Sequence, residues 1–373
     1  PLGPARYFFE HSFHKFIHET DATREAHPDW FARDIHGTHK RSGQLCTTNP
    51  EVVKVTIEKA AEYFDKYPEA PTFGLAPEDG LGSSFCECDR CRALDIELAI
   101  TDGTLTDRLM IFCNQVADGL RQIDREKYGG KFLGFLAYQN YTTPPRVVIP
   151  DEMVLVVITH MHWDFCDTHP LEDPACSSNT QFLEVLKRWL EVSKHVGVYD
   201  YFGHNEFYVP WPLWNTTIPQ HLRTYKKLGV ESLVVESQQN WANQGMNFYA
   251  TAKLAWDVDR DTDILWTDFF ERFYGPAEEP MRLYWERWQQ AMLDSNGHQW
   301  DWIKAYTPEV VAQCGVHLQE AHSAVERAAH TGTYSAERLN KVRGRLQLAA
   351  EGFKHTELWY AMRRATREKK WAK

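Results

Sequence analysis

The feature that most constrains the fold is a repeated alternation of short apolar runs with amphipathic stretches. Four apolar runs carry polar residues at their ends: 132–138, 153–160, 195–201 and 231–236. The stretches between them have the pattern of helices, as at 182–194 and 218–227. Continuous apolar strands that alternate with helices are typical of a parallel sheet covered on both faces. The sequence therefore predicts an α/β fold.

The spacing of these units favours a TIM-type (β/α) barrel. After residue 130 each unit takes about 40 residues or fewer, which suits such a barrel. The alternative is an open, doubly wound sheet, but the sequence contains no glycine-rich phosphate loop that would favour it. Earlier in the chain the predicted strands are 5–9, one that ends within 45–50, and 72–76, and the predicted helices are 51–66, capped by Asn49, and 105–125.

The strand pattern stops at Asp261. Beyond it only helical patterns follow, at 264–274, 278–293, 308–330 and 335–365. A helical region of this length is able to pack as a bundle. We therefore predict two parts, a barrel domain at 1–260 and a helical C-terminal region at 261–373.

Composition excludes some classes of partner. The net charge of −11 over 373 residues argues against nucleic acid or an anionic membrane surface. No apolar stretch is long enough to span a bilayer. The aromatic share of 13% suits stacking on sugars, with core packing as the alternative. The chain begins at Pro1 with neither an initiator methionine nor a signal-peptide pattern, which predicts a fragment.

Two neighbouring carboxylates follow the apolar run at 72–76. Glu78 and Asp79 lie between Pro77 and Gly80, which interrupt the strand. Acids at a strand's carboxyl end are where (β/α) barrels carry out chemistry, and paired carboxylates commonly cleave glycosidic bonds. These residues are therefore candidate catalytic groups. The alternative is a solvated turn that caps the next helix.

Polar and aromatic residues also follow the other predicted strands. Because strand interiors are apolar, these end groups should meet at one face of the barrel. We expect Asp79 and Glu236 in particular to converge on one saccharide-sized pocket. The candidate substrate-binding residues are His11, Tyr138, His160, Asp200, Tyr201, Asn205, Trp211 and Trp241. For the two tryptophans core packing is the alternative.

Three histidines near the start of the chain form a second pattern. His11, His14 and His18 lie three and four residues apart, a spacing that would align them on one helix face. Three interpretations of these histidines are open: a metal site, hydrogen-bonding groups at the mouth of the barrel, and ordinary surface residues.

Three cysteines lie close together in the pattern C-x-C-x2-C. They are Cys86, Cys88 and Cys91, and three thiolates at this spacing favour a structural zinc ion. The fourth ligand is not evident, although Cys46 would serve if its loop lies nearby. A disulfide or free thiols are the alternatives. A catalytic zinc is disfavoured because no helical H-E-x-x-H motif is present.

A series of short motifs runs in order from about residue 6 to 290. Among them are 27–31, 44–50, 77–80 with the cysteine pattern, 199–201, 210–212, 252–257 and 274–277. The series resembles a bacterial domain family of unknown function related to glycoside hydrolase family 163, some of whose members are endo-β-N-acetylglucosaminidases that act on N-glycans. The resemblance implies an incomplete barrel here, in which the strand ending at Asp79 is the fourth and the strand ending at Glu236 is the eighth.

The resemblance also implies a retaining mechanism in which the substrate's own 2-acetamido oxygen attacks the anomeric carbon. Glu78 would be the general acid and Asp79 the partner of the acetamide N–H. Glu236 is the substitute acid, because the family often has a different residue at the position of Glu78. Tyr138, Tyr201 and His160 would bind the sugar.

The remaining implications concern cofactor, partner and location. No cofactor would be required beyond the structural zinc considered above. The partner would be an oligosaccharide or glycan, and the protein would be secreted, periplasmic or surface-associated in a bacterium. Two other functions stay open, a non-catalytic carbohydrate-binding barrel and a metal-dependent hydrolase that uses the histidines.

Overall fold

The computed structural model describes residues 10–98, 100, 102–160, 168–203, 209–237, 240–295 and 302–367. These residues form two compact units that interleave along the chain. The first comprises Pro1–Met161, Phe182–Asp200 and Leu228–Val234, and the second comprises His162–Gln181, Tyr201–Lys227 and Val235–Lys373. The strand predicted at 5–9 lies outside the described residues. The predicted domain boundary at residue 260 stays a prediction.

A five-stranded sheet, most of it in the first unit, carries its strands side by side in chain order. The strands are β1 (Thr72–Gly74), β2 (Phe132–Ala137), β3 (Val154–Thr159), β4 (His195–Gly203) and β5 (Ser232–Ser237). The first four are paired in parallel. Consecutive order is that of a barrel segment, whereas a doubly wound sheet reverses its order at a switch point. The α/β prediction is confirmed, and closure into a TIM-type barrel stays a prediction.

The strand interiors are buried, as their continuous apolar character predicts. Leu136, Leu155 and Val157 pack with Ala76 in one cluster. Phe135, on the other side of β2 from Leu136, has no exposed surface. Burying a side chain of this size contributes about 1.5–3 kcal/mol. Both faces of the sheet are therefore covered, which leaves the strand ends as the places where polar side chains emerge.

In the described chain one or two helices follow each strand except β2, which connects to β3 through a single 3₁₀ turn, and after β5 the helices follow one another. They are α1 (Phe13–Phe16), α2 (Asp21–Ala26), α3 (Pro50–Lys66), α4 (Asp89–Glu97), α5 (Thr106–Tyr128), α6 (Ser177–Val192), α7 (Thr217–Leu228), α8 (Trp241–Trp256), α9 (Thr262–Tyr274), α10 (Glu278–Ser295), α11 (Pro308–Thr331) and α12 (Ala336–Arg367). Single 3₁₀ turns occur at Gly82–Ser84, Gln139–Tyr141, Gly275–Ala277 and Trp302–Ala305. The helical region predicted after residue 261 is confirmed as helical.

Local signals set the start of α3 and its packing. The Glu51 N–H donates to Asn49 Oδ1 at 3.0 Å, so Asn49 is the N-cap that the sequence predicts. Pro50 follows at the first helical position, where its missing N–H costs nothing. Gly119 of α5 faces Ile57 of α3, and a Cβ at position 119 would lie 2.2 Å from Ile57 Cδ1. The two helices therefore approach more closely than a larger residue would allow.

The strand predicted to end within 45–50 is wrong. Leu45 makes only one isolated antiparallel bridge, with Phe31. The chain then turns, with the Asn49 N–H donating to Cys46 O at 2.9 Å, and α3 begins at Pro50. The apolar run is too short to form a ladder before the turn begins.

In the second unit aromatic side chains form much of the core. Trp214 is fully buried, with edge-to-face contacts to Trp266 and Phe270 at 4.7 and 5.8 Å between ring centroids. Such pairs add about 0.5–1.5 kcal/mol beyond the burial of their area. Among the described residues no helix combines the length and the apolar character that crossing a membrane requires.

Candidate functional site

The candidate site begins where the chain leaves β1. The Leu75 N–H donates to Gly134 O at 2.8 Å, which continues the parallel register for one more residue. Ser12 then holds both backbone groups of Ala76: the Ala76 N–H donates to Ser12 Oγ at 2.9 Å, and the Ser12 N–H donates to Ala76 O at 3.1 Å. The segment around Ser12 therefore lies beside residues 77–80, which we call the acid segment.

Glu78 is held at its backbone and at its carboxylate. Gln44 accepts the Glu78 N–H at 3.2 Å and donates from Nε2 to Glu78 O at 2.6 Å. The His14 backbone N–H donates to Glu78 Oε1 at 2.8 Å, and His14 Nδ1 lies 2.9 Å from both carboxylate oxygens. Gly43 packs against the same side chain, with φ of +72° and a hypothetical Cβ 3.0 Å from Glu78 Cγ. The Glu78 side chain is thus only 16% exposed.

Asp79 has a more open environment. Its side chain is 70% exposed, and His11 Nε2 lies 4.0 Å from Asp79 Oδ1. His11 Nδ1 lies 2.5 Å from Pro77 O, and because a carbonyl only accepts, Nδ1 carries a proton. The His11 ring also contacts the Tyr138 ring edge-on, with centroids 5.7 Å apart. Two histidines, Tyr138 and both acids therefore meet at the carboxyl ends of β1 and β2.

Tyr141 lies beneath this group of residues. It is fully buried, and within the described part of the chain its hydroxyl has no hydrogen-bond partner. Burial raises the pKa of the Tyr141 phenol, and the neighbouring Tyr138, Asp79 and Glu78 raise it further. The phenol therefore stays protonated and is a hydrogen-bond donor close to the two acids. The preceding Gln139 has φ of +51°, a left-handed conformation that costs a non-glycine residue about 1 kcal/mol or more.

His160 and Asp200 form a buried pair in the first unit. The β3–β4 register sets Thr159 opposite Tyr199, so the next residues of the two strands come together. His160 Nδ1 lies 3.2 Å from Asp200 Oδ1, and the two side chains are 1% and 0% exposed. The Phe182 ring lies 4.1 Å from the imidazole, between centroids. Both side chains are thus almost fully covered, and their role in substrate binding stays a prediction.

The other predicted site residues belong to the second unit or are not described. Tyr201 and Trp211 are each 5% exposed, whereas Trp241 is 63% exposed at the start of α8. Glu236 is half-buried near the end of β5. Asn205 lies outside the described residues. Of the two tryptophans, Trp241 alone offers a free ring face for stacking, and the predicted convergence of Asp79 with Glu236 stays a prediction.

The structure changes the prediction for the histidine series. The helix α1 comprises only Phe13–Phe16, so His11 and His18 lie outside it and the predicted histidine face of a helix is wrong. His11 and His14 nevertheless both face the acid segment, through Asp79 and Glu78. Their convergence depends on the turn around Ser12 and not on helical periodicity.

A second group of functional side chains is the cysteine cluster, which we define as Cys46, Cys86, Cys88 and Cys91. All four sulfurs lie within 4.8 Å of one another. Cys46 Sγ is 3.6 Å from Cys88 Sγ and 3.9 Å from Cys91 Sγ, and all four are free thiols. Hydrogen bonds among the thiols lower the pKa of Cys88 and raise that of Cys91. Cys46 therefore joins the three cysteines that the sequence pattern identifies.

Backbone contacts bring the cluster together. The Cys46 N–H donates to Trp30 O at 2.7 Å, and the Glu87 N–H donates to Arg33 O at 2.8 Å. The helix α4 begins at Asp89, so Cys91 lies in its first turn. The chain around Trp30–Arg33 thus binds the Cys46 loop on one side and the Cys86–Cys91 loop on the other.

Sequence reasoning did not single out Gln44, and it did not pair His14 with Glu78. The contact between Gln44 and Glu78 spans 34 residues, and that between His14 and Glu78 spans 64. Gln44 has no local signal that marks it as a backbone clamp. For His14 the only signal is its spacing from His11.

Comparison with known proteins gives a family and a distant structural likeness. Among solved structures, the chain is similar to a GH138 enzyme targeting pectin rhamnogalacturonan II, with a TM-score of 0.43 and 12% identity, covering 82% of this chain and 41% of that chain. The chain thus spans less than half the length of that enzyme. No curated protein matches it. The model of DUF4838, a domain of unknown function, matches residues 3–286, and the chain therefore belongs to the DUF4838 family.

Proposed function

We propose that this chain is part of a glycoside hydrolase that acts on N-acetylhexosamine-containing glycans by a retaining, substrate-assisted mechanism. The observation that carries the proposal is the position of Glu78 and Asp79, adjacent carboxylates four and five residues beyond the last residue of a parallel strand. His11, His14 and Tyr138 gather around them. Parallel (β/α) sheets carry their chemistry at this end, and paired carboxylates are the usual groups for cleaving a glycosidic bond.

The roles of the two acids follow from the proposed chemistry. In substrate-assisted cleavage the acetamido oxygen of the sugar attacks the anomeric carbon, so the protein needs no nucleophile. Glu78 is the general acid that protonates the leaving oxygen. Asp79 accepts a hydrogen bond from the acetamide N–H of the substrate. This bond increases the negative charge on the acetamido oxygen that attacks the anomeric carbon. Its 70% exposure leaves room for a substrate group beside it.

His14 has a supporting role in this proposal. Its Nδ1 lies 2.9 Å from both Glu78 oxygens, and its side chain is 48% exposed. The imidazole thus connects a mostly covered carboxyl group with solvent. After Glu78 has given its proton to the leaving group, its carboxylate takes a proton from the water that opens the cyclic intermediate, which restores the acid, and His14 orients the carboxyl group during both steps.

The other residues near the candidate site have supporting or substitute roles in this proposal. The buried phenol of Tyr141 interacts electrostatically with Tyr138 and with both acids. Tyr138, whose ring contacts His11 beside the acids, binds the sugar. The burial of His160 favours an orienting role for the His160–Asp200 pair. Glu236 is the substitute acid if Glu78 proves dispensable.

The first test separates the two acid roles. Wild type, Glu78→Gln, Asp79→Asn and Glu236→Gln are compared on aryl N-acetyl-β-glucosaminides with good and poor leaving groups. Loss of the general acid reduces cleavage strongly for a poor leaving group and little for a good one, since a good leaving group needs no proton. Loss of the acetamide partner reduces both. Glu69→Gln is the control, because it changes an exposed glutamate shortly before the other end of β1.

The second test asks whether the substrate supplies the nucleophile. Successive fluorination of the acetamido methyl group withdraws electrons from the attacking oxygen and should slow wild-type turnover stepwise. Turnover that is insensitive to fluorination contradicts the substrate-assisted mechanism. Binding of the glycan without turnover supports a carbohydrate-binding barrel instead. Turnover by all three acid variants at the wild-type rate removes these residues from the catalytic assignment.

A further inference from the structure

The cysteine cluster is a built site that the proposed glycosidase chemistry does not use. Its four thiols come from two separate stretches of chain, one with Cys46 and the other with Cys86, Cys88 and Cys91. Three of them are buried and Cys88 is half-buried. Two disulfides would require only pairwise proximity, whereas here each sulfur lies near all the others.

The distances match those of a tetrahedral metal centre. Four sulfurs that each lie about 2.3 Å from a common zinc ion are about 3.8 Å from one another. The two distances from Cys46 Sγ, 3.6 Å to Cys88 and 3.9 Å to Cys91, bracket that value. A disulfide needs sulfurs only about 2.05 Å apart. The geometry is therefore that of a four-thiolate site.

The surroundings suit an anionic metal–thiolate centre. Four thiolates around a divalent ion carry two net negative charges. The guanidinium groups of Arg90 and Arg108 interact electrostatically with the sulfurs of Cys46, Cys88 and Cys91. The Thr48 hydroxyl lies 3.2 Å from Cys91 Sγ, and such outer contacts orient and stabilise metal ligands.

The local core also depends on the cysteines. The hydrophobic cluster at this place consists of Ala32, Cys46, Cys86 and Cys91, with Cys88 packed against it. Four of the five side chains in this cluster are thiols. Metal binding supplies folding free energy directly where a core is this small.

We propose that Cys46, Cys86, Cys88 and Cys91 bind one structural zinc ion. Four protein ligands leave no open position, so the ion holds the loops together and takes no part in chemistry. The zinc fixes the Cys46 loop against the Cys86–Cys91 loop. Gln44, two residues before Cys46, clamps Glu78, so the ion also stabilises the position of the acid segment.

The first experiment is elemental analysis of the purified protein, kept reduced and free of chelator. We expect one zinc per chain in wild type and none in Cys88→Ser. Cys113→Ala is the matched control, since Cys113 is a buried thiol of the first unit outside the cluster, and it should retain the full zinc content. Iron in place of zinc, or wild type with no metal and four free or disulfide-bonded cysteines, would overturn the proposal.

A second experiment keeps the test valid if Cys88→Ser fails to fold. The wild-type protein is stripped with a chelator and reloaded with cobalt(II) chloride, and its absorption spectrum is recorded. Tetrahedral thiolate coordination gives sulfur-to-cobalt charge-transfer bands and intense bands in the red, which octahedral cobalt lacks. Cys88→His, which keeps four ligands, should bind cobalt with a shifted spectrum. An octahedral cobalt spectrum for wild type contradicts the four-thiolate site.

A third readout is thermal unfolding. Chelator should lower the unfolding temperature of wild type and of Cys113→Ala, since an ion that binds only the folded state stabilises it. The same chelator should leave Cys88→Ser unchanged. An equal effect on all three proteins would mean that the chelator acts elsewhere, and would contradict the zinc site.

Discussion

The side-chain amide of Gln44 brackets the backbone of Glu78, accepting its N–H at 3.2 Å and donating to its C=O at 2.6 Å. Gln44 is itself fully buried. Glu78 lies beyond the end of β1, where its backbone lacks a neighbouring strand. The Gln44 amide makes the two backbone hydrogen bonds that such a strand would make. It fixes the backbone of Glu78, whose carboxylate lies against His14. A residue 34 positions away therefore decides where the candidate acid lies.

Replacing Gln44 by Met removes both hydrogen bonds with little change in volume. The buried N–H and C=O of Glu78 then lose their partners, which costs about 1–3 kcal/mol. We expect the free energy of unfolding, measured by denaturant titration, to fall by that amount. Gln347→Met is the control, because Gln347 is exposed on α12, and its effect should stay within about 0.5 kcal/mol. Equal effects of the two changes would contradict the clamp.

The loss of the ion pair between Arg121 and Asp151 should destabilise the first unit in a pH-dependent way. Arg121 Nη1 donates to Asp151 Oδ1 at 2.8 Å while Nη2 binds the other oxygen, and the Met153 N–H also donates to this carboxylate. Burial raises the pKa of Asp151, but the bonds from Arg121 and Met153 outweigh it, and the pKa is lowered. Asp151→Asn should cost about 1–2 kcal/mol at neutral pH.

The sign of the pH dependence follows from that lowered pKa. The stabilisation is fully present above the unfolded-state pKa of about 3.9 and is lost as the pH falls through the lower folded-state pKa. The stability difference between wild type and Asp151→Asn should therefore shrink as the solution is acidified below about pH 4. Glu152→Gln is the control, because its pair with Lys194 is exposed, and it should have no measurable effect. A difference that stays constant with pH would show that Asp151 acts through packing alone.

Two glycine-to-alanine changes in helices should have opposite effects. In α5, a Cβ on Gly119 would lie 2.2 Å from Ile57 Cδ1, whereas a Cβ on Gly344 of α12 has no neighbour within 4 Å. Gly344→Ala should stabilise by about 1 kcal/mol through helix propensity. Gly119→Ala gains the same propensity but overpacks the contact with α3, and should destabilise by about 1 kcal/mol net.

A double-mutant cycle checks the cause of the Gly119 effect. In an Ile57→Ala background the clash is removed, and Gly119→Ala should become neutral or stabilising. The measurement is the free energy of unfolding of the four proteins in the cycle. If Gly119→Ala is equally destabilising with and without Ile57, the steric explanation is wrong.

The N-cap of α3 gives a further prediction. Asn49 Oδ1 accepts the Glu51 N–H, and Asn49 Nδ2 donates to Asp29 O at 2.9 Å. Asn49→Ala loses both bonds and should destabilise by about 1–2 kcal/mol. Asn49→Asp keeps the acceptor and loses only the donor, so we expect a smaller loss. Identical losses for the two variants, measured by thermal or chemical unfolding, would mean that the cap contributes nothing.

Much of the secondary structure was predictable because it depends on local periodicity. Apolar runs marked β2 and β3 to within one residue, and the cap at Asn49 marked the start of α3. The failure at 45–50 has the same origin, since an apolar run indicates a strand only if a neighbour is present to pair with it. Leu45 finds a single bridge and the chain then turns into a helix.

By itself, the sequence determined the alternation of strands and helices, the helical character after residue 261, the family and the adjacency of Glu78 to Asp79. The tertiary structure alone decided which groups hold those acids. Gln44 and His14 reach Glu78 across 34 and 64 residues, and Cys46 joins cysteines 40 to 45 residues away. Hydrogen bonds and metal–ligand geometry act over about 3 Å in space whatever the separation in the chain, so only folding brings these partners together.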